Sequence, residues 1–289
     1  MDASASPTAT PEITIAMLRS IGMSASGLRW FGWLYPAGRA SYAATARSYL
    51  EVGATECAAW LAVHCPAGVR GATWRARLAV LDTAPLRSYL AHRCPAGVPG
   101  ATWAARLATA DTADRRASLG MQCPVGVRGA TWRARLAVQS DAGGRARLGR
   151  YCRAGVPGAT WRARLAVQDT ADSRALLSLR CPARVPGATW RARLAALCDA
   201  ANRALLGRIC PDATPGATWR ARLAVQDSAA DRALLGRCCP AGVPGATWAA
   251  RLAAQDTASD RALLGLICPA GVRGATERAR AKARRAERF

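Results

Sequence analysis

The sequence predicts an all-α solenoid of 29-residue, two-helix repeats, and three observations predict it. Cysteines at Cys65, Cys94, Cys123, Cys152, Cys181, Cys210, Cys239 and Cys268 are spaced by 29 residues without insertion or deletion. A tryptophan follows nine residues behind each of the first seven, at Trp74, Trp103, Trp132, Trp161, Trp190, Trp219 and Trp248, and Glu277 holds the next place in the series. Each unit also alternates helix-forming stretches with Pro-Gly turns and Asp-Thr breaks. A period in this range marks stacked supersecondary units, each touching its neighbours and together burying one continuous core.

The elements follow in chain order. Residues 1–64 are expected to form an N-terminal cap, covering core that a terminal repeat would leave exposed. Its first ten residues are rich in Ala, Ser, Thr and Pro and are expected to lack order. Ile13, Ile15, Met17, Leu18, Trp30, Phe31, Trp33 and Leu34 supply its apolar content. Residues 36–64 read as a decayed repeat, with Pro36-Ala37-Gly38 and Trp60-Leu61-Ala62. The regular array covers 65–276, and 277–289 forms a basic helical tail in which Glu277 replaces the core tryptophan.

The unit from Cys152 to Arg180 shows the local logic. Pro157 precedes a first helix expected over 159–168, because proline is tolerated at the first helical position. Trp161 and Leu165 lie four apart and so share a face. Asp169 and Thr170 then break the pattern, since both residue types cap helix N-termini. A second helix is expected over 171–180, with Leu176 and Leu177 as its apolar residues. It stops at Cys181-Pro182, because proline disfavours helical geometry in the residue before it. Helices this short are not stable alone in water, so the tryptophans and leucines must be buried between neighbours.

Two arginine ladders run through the array. Arg77, Arg106, Arg135, Arg164, Arg193, Arg222, Arg251 and Arg280 never vary. A second ladder is Arg87, Arg116, Arg145, Arg174, Arg203, Arg232 and Arg261. Between them lie Asp82, Asp111, Asp169, Asp227 and Asp256, displaced by one residue to Asp141 and Asp199 in two units. The expectation is that these aspartates pair with ladder arginines of the same or the adjacent unit. A third set, Arg75, Arg133, Arg162, Arg191, Arg220 and Arg278, is interrupted by Ala104 and Ala249. Replacement by alanine marks it as exposed and makes it the candidate stripe for an anionic partner. A plain solvated face is the alternative.

The formal net charge is +23, and the charge lies mostly in the repeats, because residues 1–64 are neutral. A basic array suits an acidic protein or peptide, nucleic acid or anionic lipid. The abundance of Ala, Arg, Gly and Pro also fits GC-rich coding. No apolar run is long enough to span a membrane. The opening Met1-Asp2-Ala3 has no basic stretch of a secretory signal, and the cysteines do not read as a secreted disulfide framework. The chain is therefore expected in the cytoplasm with reduced thiols. The cysteine ladder is read as small buried apolar groups, because equivalent positions on stacked helices lie too far apart to converge on a metal. His64 and His92 have no nucleophile and carboxylate beside them in sequence, and the recurring Gly-Ala-Thr lacks a phosphate-loop lysine. No catalytic, cofactor or metal residue is assigned, and no enzyme activity is expected.

The run Pro157…Trp161…Arg164-Leu165-Ala166…Asp169…Arg174…Leu177…Cys181-Pro182 resembles the leucine-rich repeat variant motif and, more loosely, HEAT repeats. The resemblance covers about residues 65–276 and implies a right-handed superhelix of short paired helices used for macromolecular binding. The family's unit is shorter and carries leucine where this chain has tryptophan. Its iron–sulfur cysteines have no counterpart, since Cys57 alone precedes the first unit. Three functions remain open at this point: a protein- or peptide-binding scaffold, a nucleic-acid binder holding phosphates through arginine, and a recently expanded array without a ligand.

Overall fold

The computed structural model describes residues 12–285, which form two compact units divided between Ser140 and Asp141. The first ten residues, expected to lack order, lie outside the described residues. Both units are all-α solenoid segments of the 29-residue, two-helix repeat. A two-stranded antiparallel pairing of Ile13–Thr14 with Arg39–Ala40 in the first unit is a small addition.

In the first unit the helices Ile15–Ser20, Ala25–Leu34, Tyr42–Glu51 and Thr55–His64 precede the regular array. Ile13, Leu18 and Phe31 are fully buried, whereas Trp30 and Trp33 stand at the surface, Trp33 being 68% exposed. The decayed repeat holds Tyr42, not Trp60, in the tryptophan's structural place. Tyr42 is fully buried, and the Arg77 guanidinium lies 5.8 Å from its ring centre.

Each regular unit has a short helix that begins on the tryptophan and a longer helix that ends before the next cysteine. In the second unit these include Trp161–Leu165 with Ala171–Arg180, Trp190–Ala195 with Ala200–Ile209, and Trp219–Leu223 with Ala229–Cys238. The longer helix matches its expected bounds, with Thr170 capping the N3 amide of Ser173 and Cys181 held extended at ψ 130 ahead of Pro182.

The shorter helix is half its expected length. Thr160, not Pro157, is its cap: the hydroxyl accepts from the Ala163 amide at 3.3 Å. Ala159 lies outside the helix because its carbonyl accepts from the Arg164 side chain. At the other end the Gln168 amide reaches back only three residues, to Leu165, a tightened turn that terminates the helix. The recurring Gly-Ala-Thr is thus a helix start. Gly158 sits at φ 81, a left-handed conformation that glycine adopts without strain. Ala159 is buried, and Thr160 caps.

Neighbouring units are stitched by backbone. The Trp161 amide donates to the Pro186 carbonyl at 2.8 Å, and Trp190 to Pro215 and Trp219 to Pro244 repeat the bond. In the first unit Trp103 donates to Arg128 in the same way. The bond uses only a carbonyl, which is why arginine replaces proline there without loss. All seven tryptophans are buried, each at most 8% exposed. On the longer helix Leu177 is fully buried, but Leu176 is 41% exposed and faces out.

A second junction couples the longer helix of one unit to the turn of the next. Gln168, Gln226 and Gln139 each send Nε2 to a carbonyl 22 residues back, Ala146, Ala204 and Ala117. The space they occupy exists because Gly149, Gly207 and Gly120 have no Cβ there, and Gly236 makes the same room for Gln255. Where the earlier residue is Ala62, Ala91 or Ser178, the later one is Leu81, Ala110 or Leu197, and glutamine is absent.

Candidate anion-binding surface

The invariant arginines from Arg77 to Arg251 are not surface groups, and backbone carbonyls hold them. Arg77, Arg106, Arg135, Arg164, Arg193, Arg222 and Arg251 are at most 1% exposed. Arg222 shows the pattern: Nε donates to the Ala217 carbonyl at 3.0 Å, Nη1 to Gly207 at 2.9 Å and Nη2 to Pro211 at 3.1 Å. Arg251 adds the Cys239 carbonyl to the same set. The guanidinium therefore closes the C-terminal end of the preceding longer helix, whose last carbonyls have no intrahelical donor and carry partial negative charge. Its other face lies over an aromatic ring of the unit before, with Arg222 5.9 Å from the Trp190 centre and Arg251 5.8 Å from Trp219. Burial pulls Arg106, Arg164 and Arg222 below the usual guanidinium range. Where carboxylates are expected, this ladder meets backbone oxygens, which engage all three guanidinium nitrogens of Arg222.

For the second ladder a pairing of the expected kind forms between Arg232 Nη2 and Asp256 Oδ2 of the adjacent unit at 2.9 Å. Asp111 pairs instead with Arg115 on its own unit. Arg208 with Asp231 and Arg237 with Asp260 are ion pairs between successive longer helices, at 3.1 and 3.2 Å, that the ladder spacing did not reveal. Asp141 and Asp199 are displaced because they take over the cap itself. Asp199 accepts from the Asn202 amide at 2.7 Å, where other units use Thr or Ser. The carboxylates thus concentrate on the longer helices and their N-terminal turns.

The third arginine set lies elsewhere. Arg75 and Arg133 in the first unit, and Arg162, Arg191, Arg220 and Arg278 in the second, are all exposed. The first five occupy the second residue of the tryptophan helix. Among the described residues none of the six takes part in an ion pair. Exposed alanines, such as Ala166, Ala195 and Ala224, follow four residues later at the C-terminal ends of the same short helices. Within the second unit, Arg162, Arg191 and Arg220 come from three successive tryptophan helices, so that equivalent positions present three unopposed guanidinium groups.

The ladder cysteines are buried thiols, with Cys65 raised to about 11 by burial, while Cys198 and Cys238 are exposed. Among the described residues no three His, Cys, Asp or Glu side chains come together as a metal set would. No helix among them is long and apolar enough to cross a membrane. In comparisons with known proteins the chain matches no family model, no curated protein and no solved structure.

Proposed function

We propose that the chain is a non-catalytic scaffold that binds an acidic protein or peptide through its exposed arginine row. The observation that carries this is the sorting of charge. The invariant arginines are used up on backbone carbonyls, the longer helices hold the aspartates, and Arg162, Arg191 and Arg220 are left free at equivalent positions. Repetition of one unpaired cation per unit suits an extended polyanion, whose charges also repeat. The resemblance to leucine-rich repeat variant and HEAT units supports macromolecular binding, and the cysteine usage suits the cytoplasm as the compartment.

Nucleic acid is the second reading, resting on the same arginines and the charge of +23. It is placed second because the arginine row is interleaved with exposed alanine, and the tryptophans of these helices are buried. Single-stranded nucleic acid is ordinarily held by aromatic stacking as well as by phosphate contacts. The test compares a polyglutamate peptide with single- and double-stranded oligonucleotides over a range of salt. The wild-type chain is expected to bind polyglutamate, and the Arg162→Ala/Arg191→Ala/Arg220→Ala variant to lose about tenfold or more in affinity with a shallower salt dependence. Undiminished binding by the triple variant sinks the reading, and tighter binding to oligonucleotides that those substitutions abolish moves the assignment to nucleic acid.

A further inference from the structure

In the first unit a cavity of about 610 Å³ opens between the helices Thr55–His64 and Ala84–Arg93 and the turn after Trp74–Leu78. That volume is in the range of small-molecule sites, roughly 300–1,000 Å³. The wall is largely apolar, and three large exposed hydrophobic side chains line it: Leu50, Trp60 and Tyr89, which are 39%, 39% and 44% exposed. Trp60 and Tyr89 are 29 residues apart and so hold the same position on two successive longer helices that pack together. The next unit has Ser118 at that place. The aromatic pair is therefore a local departure from the repeat.

Trp60 is held in position before anything binds. Its indole N–H donates to the Ile21 carbonyl at 3.0 Å, and its ring packs on His64 with centres 3.9 Å apart. Burial and the charge of Arg93 hold His64 below the usual histidine range. Glu56 and Asp82 also line the cavity, and among the described residues neither has an ion-pair partner. Arg87, the one guanidinium of the lining, is tied by Nε to the Leu81 carbonyl at 2.9 Å. In a chain of net charge +23, two carboxylates without ion-pair partners stand beside exposed aromatic rings, with Arg87 in the lining and the Arg93 guanidinium 5.8 Å from the Tyr89 ring centre.

We propose that this cavity binds a small organic cation with an apolar body, an aliphatic or aromatic amine, with its ammonium group at Glu56 and Asp82 and its body against Trp60 and Tyr89. Ammonium groups are attracted to the faces of tryptophan and tyrosine as well as to carboxylates, so one end of the site selects charge and the walls select apolar bulk. None of the residues lining the cavity belongs to the arginine row, and the site does not depend on it.

Calorimetric titration of the full chain with hexylammonium, 1-hexanol and hexanoate tests this. Hexylammonium is expected to bind once per chain and about tenfold more tightly than hexanol, the sum expected of two exposed carboxylates. Hexanoate is expected to bind more weakly than either. Glu56→Gln/Asp82→Asn is expected to erase the preference for the amine while leaving the circular dichroism and thermal midpoint unchanged. Tyr89→Ala, at an exposed ring, is expected to weaken the amine and the alcohol together. Equal binding of amine and alcohol, a preference that survives the double amide variant, or no binding at millimolar ligand overturns the proposal.

Discussion

A buried arginine without a carboxylate is an uncommon solution, and its stability rests on geometry. A planar guanidinium presents five donors in a fixed fork, so it can satisfy several carbonyls at once where a lysine ammonium cannot. Replacing Arg222 by Met would leave the carbonyls of Gly207, Pro211 and Ala217 without their donor in a dry environment. At about 1–3 kcal/mol for each orphaned group, partly recovered by relaxation, the expected loss is about 3–5 kcal/mol. Arg222→Lys should recover only a minor part of it. Urea unfolding of the full chain checks both, and a Met variant as stable as wild type would show that the fork is dispensable.

The histidines give a second prediction at this scale. Burial is the largest cause holding both His64 and His92 below the usual histidine value, and charge from Arg93 acts in the same direction on each. A folded value below the unfolded one means that the unfolded chain takes up protons first as pH falls. The contribution is complete above about 6.5 and is lost as pH drops through the folded values. The urea midpoint of the wild type should therefore fall between pH 7 and pH 5, and His64→Asn/His92→Asn should flatten that slope. A double variant with an unchanged slope would assign the acid sensitivity to other groups.

At the scale of elements, the junction between Gly207 in the helix Ala200–Ile209 and Gln226 after the helix Trp219–Leu223 determines which units fit side by side. Alanine in place of a helical glycine normally stabilises by roughly 0.5–1 kcal/mol. Here the added Cβ would run into the Gln226 amide, with the Arg222 carbonyl 3.2 Å away, so the sign should reverse. Gly207→Ala is expected to destabilise by about 1–2 kcal/mol and Gln226→Leu by a similar amount, through its lost bonds to Ala204 and Arg222. The double variant creates the apolar kind of pairing seen at Ala62 and Leu81 and should cost less than the sum, with a coupling of about 1 kcal/mol. Strict additivity would sink the idea.

This junction also marks what the sequence could and could not reveal. The period, the longer helices, the cap at Thr170 and the buried tryptophans are local or periodic signals, and they are readable because Trp161 recurs in phase with Leu177 and Cys181. Gly207 and Gln226 covary across a unit boundary, and reading one unit at a time does not bring them together. The role of Arg222 is hidden for a different reason. Its partners are carbonyls, which every residue possesses and no letter of the sequence distinguishes. The nearby aspartates looked like partners only because carboxylates are visible as letters.

On the scale of the whole chain, an array whose units touch only their neighbours has a stability close to a sum of unit terms and junction terms. Two excisions of equal length then separate the terms. Removing 208–236 joins Gly207 to the unit carrying Gln255, so a glycine again faces a glutamine. Removing 179–207 joins Ser178 to the unit carrying Gln226, which places a Cβ and a hydroxyl where the glutamine amide needs room. Both products lose 29 residues in register and keep every ladder in phase. If units were interchangeable, the two would unfold at the same urea concentration. With junction matching they differ: the first should lose only the terms of one unit, while the second should lose about 1–2 kcal/mol more and regain most of it when Ser178 is changed to Gly. The rescue carries the argument, because a lower midpoint alone could reflect the particular residues removed. Recovery through a single change at the new boundary places the loss at the junction itself.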